Sequence, residues 1–194
     1  MRILYLYAHP LAESFHAAIK QSALDGLLAA GHEVDFCDLY AENFNPVLSA
    51  EERRNYHAVP DNRGPVEAYV LRLEAAEALV LSYPTWCFGL PAILKGWFDR
   101  VLLPGVSFTL GEDGIARPAL THIKKIAGIS TYGRPRWTAL MIGDPPRKAV
   151  TRYLYMITGA KASVDYIALY DMNRADLRRR MAFLDTVRGR MAAF

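Results

Sequence analysis

Leu79-Val80-Leu81 is apolar at three consecutive positions, where a strand with one wet face would alternate. Such a run reads as a strand covered on both faces, which belongs in a parallel sheet flanked by helices. Tyr83-Pro84 is expected to end it, because Pro84 has no N–H to give a ladder and restricts the residue before it. Pro91 stands where a first helical residue should, with its φ already set for a helix. Ile93, Leu94, Trp97, Phe98, Val101 and Leu102 then recur at helical spacing and form one apolar face. Between strand and helix runs Thr85 to Leu90, with two aromatics, a thiol and a glycine. Ligands of open parallel sheets bind where such loops leave the carboxyl ends of strands. A loop this apolar suits a flat aromatic ligand.

The same strand-loop-helix grammar recurs along the chain. Arg2 to Ala8 reads as an apolar strand, His9 to Glu13 as a loop, and Ser14 as the N-cap of a helix that reaches Ala30 and stops at Gly31. Glu33 to Leu39 gives a second strand. Tyr40 to Pro65 is the least regular part, with a short helix at Ser49 to Tyr56 capped by Ser49 and Glu52, and a surface loop at Pro60 to Pro65. Val66 to Glu77 reads as a helix. Val106 to Arg117 forms a small hairpin around Gly111 to Gly114. Lys125 to Ser130 is the fourth strand of the main sheet, Pro145 to Thr158 a helix closed by Gly159, and Ala162 to Tyr170 the fifth strand. Asn173-x-x-Asp176 resembles a capping box that starts a basic C-terminal helix, whose arginines are expected to be a solvated face.

Composition removes several classes of function. The 194 residues suit one domain over residues 1–194, and 52% hydrophobic against 22% charged residues is the balance of a globular chain. A net charge of +3 is too small to argue for nucleic acid. The two cysteines, Cys37 and Cys87, offer no disulfide framework, and the five scattered histidines no metal-ligand spacing. The N-terminal apolar run is too short for a signal peptide, and no run approaches the roughly 20 residues that span a bilayer. A reducing, cytoplasmic setting is the expectation.

Five strands alternating with helices imply an α/β, doubly wound parallel sheet with helices on both faces. The leading order is the flavodoxin-like 2-1-3-4-5, with its switch point between the first and third strands. Three loops should meet there: His9–Phe15, Pro84–Phe88 and Thr131–Gly133. No Gly-x-Gly-x-x-Gly occurs, so a stably held nicotinamide dinucleotide is not expected. His9 and Ser14 stand at a helix N-terminus that could hold a phosphate. The amides of Trp86, Cys87 and Phe88 could face the acceptor edge of a flavin, with Trp86 against the ring. Thr131, Tyr132 and Gly133 would complete the pocket, Gly133 permitting close approach. Each loop alone reads as an ordinary turn or plug; three coinciding at one crevice point to a site.

Pro84-x-Trp86-x-Phe88-Gly-x-Pro91-Ala-Ile-Leu-Lys-Gly-Trp-Phe-Asp-Arg100 closely resembles the signature of the NAD(P)H:quinone oxidoreductases, the DT-diaphorase-like branch of the flavodoxin-like flavoproteins. His9-Pro10, Ser14-Phe15 and Thr131-x-Gly133 agree with it, and the resemblance spans roughly residues 1 to 135. It implies His9, Ser14 and Phe15 around the flavin phosphate or pyrophosphate. It implies Pro84, Thr85, Trp86, Cys87 and Phe88 along the isoalloxazine, with Thr131 and Gly133 on its other edge. It further implies FAD (FMN as the alternative), NAD(P)H as a transient reductant, a quinone or similar acceptor used in ping-pong fashion, and a homodimer.

Two departures stand out. Where family members carry a supporting Tyr and His, a gapless reading puts Thr138 and Asp144, and an ionised Asp144 only accepts hydrogen bonds. Tyr132 replaces a residue that is often small, and is expected to crowd the pocket. The two functions that follow are a flavin-dependent NAD(P)H oxidoreductase and, as the alternative, a regulatory or ancillary flavoprotein that acts by binding a protein partner. Arg134 and Arg136 are candidates for attracting the dinucleotide's phosphates, and Asn55-Tyr56-His57 for capping a dimer-related site. The aromatic helix from Pro91, through Trp97 and Phe98, is the expected dimer surface.

Overall fold

The computed structural model describes residues Met1–Phe194. Its strands are β1 (Arg2–Tyr7), β2 (Glu33–Asp38), β3 (Ala78–Pro84), β4 (Phe108–Leu110), β5 (Ala116–Pro118), β6 (Lys125–Thr131) and β7 (Ser163–Leu169). Its α-helices are α1 (Phe15–Ala29), α2 (Ala50–Arg54), α3 (Glu67–Ala75), α4 (Ala92–Val101), α5 (Arg136–Met141), α6 (Pro145–Lys148), α7 (Tyr155–Ile157) and α8 (Leu177–Ala192). The main sheet is parallel throughout, in the order β2-β1-β3-β6-β7. The hairpin β4–β5 stands outside it, so this is the expected order 2-1-3-4-5 counted over the sheet alone.

β3 explains why the sheet needs two helical layers, since all its residues are buried. Leu79, Leu81 and Tyr83 join a core with Val70 and Leu73 of α3, Leu94, Trp97 and Val101 of α4, and Val150 and Leu154. Ala78 and Val80 face the other way, into a core with Ile19, Ala23 and Leu27 of α1 and Phe183, Val187 and Met191 of α8. Each buried leucine, isoleucine or valine contributes about 1.5–3 kcal/mol over the exposed state, which holds both layers on the sheet. Close packing sets one sequence choice outright. A Cβ on Gly96 of α4 would lie 2.2 Å from the backbone oxygen of Pro46.

Local expectations are met in some places and corrected in others. β3 ends at Pro84, as expected, and Pro84 pairs there with Thr131, where its missing N–H interrupts nothing. Pro91 is extended (φ −52°, ψ 142°) and is the N-cap, so α4 begins one residue later. Asn173 lies in a 3₁₀ turn, Met172–Arg174, and Asp176 caps α8 itself by accepting the Arg179 N–H at 2.8 Å. The capping box at Ser49 and Glu52 is present. α5 lies in a stretch to which the sequence reading assigns no element. The helix expected from Pro145 is continuous in space, but Ala149–Leu154 within it is a π-helix. Trp97 and Phe98 are buried in the core, so α4 does not offer them to a partner. No helix is long and apolar enough to cross a membrane.

Candidate functional site

Parallel pairing delivers the three loops to one end of the sheet. The Ala8 amide donates to Ser82 O at 3.0 Å and the Thr85 amide to Thr131 O at 2.8 Å, so the chain leaves β1, β3 and β6 side by side. Thr85 Oγ1 and Ser130 Oγ, 3.0 Å apart, tie the second loop to the last strand turn.

The second loop is a two-residue reversal. Trp86 N–H donates to Gly89 O at 3.3 Å and Gly89 N–H to Trp86 O at 2.8 Å. Cys87 and Phe88 between them both have positive φ, 48° and 56°. That is the geometry of a type I′ turn, normally built from Asn and Gly, and each non-glycine residue in it costs of order 1–3 kcal/mol. The reversal uses the Trp86 amide, so of the three expected donors only Cys87 and Phe88 keep an amide with no partner in the chain. Trp86 is 42% exposed, with its ring 5.9 Å from that of His9, so it is not a core plug.

The third loop supplies two more unpartnered amides, those of Gly133 and Arg134. Thr131 is buried. Tyr132 is buried too and turns away from solvent into a cluster of phenols, its ring stacked on Tyr170 at 4.4 Å. Thr85, Cys87, Phe88, Tyr132, Gly133 and Arg134 together line a cavity of about 140 Å³. The smallness of Gly133 is also used from behind, where a Cβ would come within 3.0 Å of Asn173 Nδ2.

The first loop is held from within. Ser14 Oγ donates to Leu11 O at 2.8 Å and accepts the Ala17 N–H at 3.1 Å, while Leu11 N–H donates to His9 Nδ1 at 3.1 Å. The amides of Phe15 and His16, first in α1, are left without partners, as an anion-binding helix terminus requires. Two side chains to which the sequence reading gives no part in the site join them. The Arg180 guanidinium lies 5.8 Å over the Phe15 ring with a buried, unpaired Nε, so this arginine of α8 is half-buried where a solvated face is expected. Buried His16 stacks between Tyr7 and His9, places Nε2 3.0 Å from Ser82 Oγ, and leaves Nδ1 unpaired. Burial, with the His9 ring beside it, pushes His16 down to about 3, and burial also lowers His9.

The other candidates scatter. Arg134 is at the cavity and Arg136 opens α5, both exposed. Tyr56 packs against its own core and against His57 in a T-shaped pair. Thr138 Oγ1 is buried without a partner, and Asp144 accepts from Tyr132 rather than donating into the cavity. Two larger cavities adjoin the far end of the second loop. One of about 580 Å³ is bounded by Gly89, Leu90, Phe98, Ala149 and Tyr153, and a neighbour of about 570 Å³ shares Ala149 and Tyr153 with it.

The description of the family whose model matches residues 1–184 is the flavodoxin-like fold. The chain belongs to that family. Among curated relatives it is 37% identical over 124 residues to NAD(P)H dehydrogenase (quinone) 1 of Rattus norvegicus, covering 56% of this chain and 45% of that one. It is 32% identical over 145 residues to the uncharacterized NAD(P)H oxidoreductase YcaK of Escherichia coli, covering 74% and 65%. The chain thus spans about half the length of the curated relatives it matches. Among solved structures, the NAD(P)H:quinone oxidoreductase of Methanothermobacter marburgensis superposes with a TM-score of 0.84 at 26% identity, covering 99% of this chain and 98% of that one.

Because His16 falls from 6.5 in the unfolded chain to about 3 in the folded one, the unfolded chain binds the extra proton between those values. Stability is therefore full above 6.5 and falls as pH drops towards 3. Urea unfolding at about pH 7 and about pH 5 should show a loss of about 2 kcal/mol between them that His16→Asn removes. Equal losses in both proteins would contradict it.

Proposed function

We propose that the three loops hold a flavin and that the protein is a flavin-dependent NAD(P)H oxidoreductase acting on quinones or related small acceptors. The observation that carries this reading is the set of unpartnered amides at the sheet's end. Cys87, Phe88, Gly133 and Arg134 surround one small cavity, while Phe15 and His16 open α1 beside Arg180. The residues fit the group. Hydrogen-bond donors fixed in advance around a planar acceptor edge stabilise negative charge there without reorganisation. A helix terminus with a nearby guanidinium suits a phosphate. FAD is our first choice, on the likeness of His9-Pro10 and Ser14-Phe15, and FMN would use the same phosphate site.

When bound, the flavin would accept a hydride from NAD(P)H and pass it to the acceptor. Trp86 and Phe88 would cover the reacting face and exclude water, and His9, against Trp86, would hold that wall in place. With no dinucleotide fingerprint in the chain, reductant and acceptor would use one face in turn, in ping-pong order. The alternative, a slowly turning flavoprotein that binds a protein partner, draws on the absence of the family's Tyr and His. Steady-state NAD(P)H oxidation by the flavin-loaded protein decides between them. Parallel double-reciprocal lines with a quinone support the enzyme, and flavin binding without turnover supports the alternative.

A homodimer is part of the same reading, on a different surface from the one the sequence suggests. Trp137 and Met141 of α5 are 60% and 75% exposed, and Leu140, Ile142, Tyr153 and Met156 are exposed beside the two large cavities. Apolar surface of this extent is characteristic of an interface, and a self-complementary patch closes with two copies. Sedimentation should give a dimer for the wild type and a 21.8 kDa species for Met141→Glu. A wild-type monomer at micromolar concentration would contradict this.

A further inference from the structure

Asp144 is an expensive residue that the proposed chemistry leaves without a role. It is 3% exposed and forms no salt bridge. It also sits in left-handed backbone, φ 47°, where a side chain is disfavoured. It is the N-cap residue of α6, yet its carboxylate makes no capping bond. Both oxygens are given to phenols instead: Tyr132 Oη donates to Oδ1 at 2.7 Å and Tyr170 Oη to Oδ2 at 3.3 Å. Tyr132 Oη and Tyr166 Oη are also 2.7 Å apart, and Tyr83 Oη donates to Pro146 O at 3.0 Å beneath them. The Arg147 guanidinium lies over the Tyr166 ring rather than on the carboxylate.

A buried charge and a strained backbone persist where the surroundings over-determine them. Here they converge on Tyr132, the residue between Thr131 and Gly133. Its ring is clamped against Tyr170 and its hydroxyl against Asp144, while its backbone carries the turn whose free amides edge the small cavity. We propose that Asp144 is a positioning residue for the flavin site, fixing Tyr132 and with it the Thr131–Gly133 edge, and setting a negative charge behind that edge. The proposal rests on the flavin reading above. The charge opposes added negative charge in the cavity, so it holds the bound flavin at a lower reduction potential than a neutral residue would.

The test uses wild type, Asp144→Asn and Tyr132→Phe. In flavin-free protein, both variants should speed hydrogen exchange at the Tyr132 amide, bonded to Leu169 O, while β1–β2 amides stay unchanged. Loosening the turn whose amides edge the cavity should raise the flavin dissociation constant about tenfold, the equivalent of one hydrogen bond. Asp144→Asn should in addition move the midpoint potential of the bound flavin to a more positive value. Tyr132→Phe, which keeps the charge, should move it less. A merely structural role would lower the melting temperature and leave the potential of the remaining bound flavin unchanged, which overturns the proposal. Variants that match the wild type in exchange, affinity and potential overturn it too. Wild-type protein that binds neither FAD nor FMN overturns the flavin reading, and the proposal with it.

Discussion

Parallel pairing of β3 on both its edges is the constraint from which the site follows. Tyr7 lies opposite Ser82 and Pro84 opposite Thr131, and because every strand points the same way, every following loop leaves at the same end. Polarity alone does not fix this register, since both faces of β3 are buried. Size does. Leu79, Leu81 and Tyr83 fill the space under α3 and α4, whereas Ala78, Val80 and Ser82 meet α1, with Ser82 at the buried His16. A slip of one residue would drive large side chains into the shallow layer and small ones into the deep layer.

On that rigid frame the chain affords strain at the loop tips. Cys87 and Phe88 adopt conformations that glycine would take at no cost, and they are retained between two hydrogen bonds of the Trp86–Gly89 reversal. The return on that strain is direction: two amides turned out of the strand and two more from the neighbouring turn, none used by the chain itself. Thr85 and Ser130 lock the two turns together through their hydroxyls. Positioned donors on loops anchored by a buried sheet are how such folds present a site.

Much of this was legible in the sequence because it is local. Unbroken apolar strands, the Ser14 cap and the Ser49–Glu52 box all write themselves in adjacent residues, and the strand order follows from their alternation with helices. What was not legible depends on distance or on backbone sign. Arg180 reaches Phe15 from the far end of the chain, and the phenol cluster around Asp144 gathers residues from β3, the turn after β6, the N-cap of α6 and β7. Left-handed geometry at Cys87 is invisible where no glycine marks it. α5 is too short for its period to register, so the sequence points to α4 for an exposed apolar face, although the core takes the aromatics of α4.

The central claim is that one ligand spans the amide-lined cavity and the α1 terminus, ring at the first and phosphate at the second. Titrating flavin-free protein with riboflavin, FMN and FAD, followed by quenching of flavin fluorescence, measures both halves separately. The account predicts that FMN and FAD bind and that riboflavin, lacking the phosphate, binds more weakly by about tenfold or more, some 1.4 kcal/mol. Riboflavin binding as tightly as FMN, or no binding of any of the three, would contradict it.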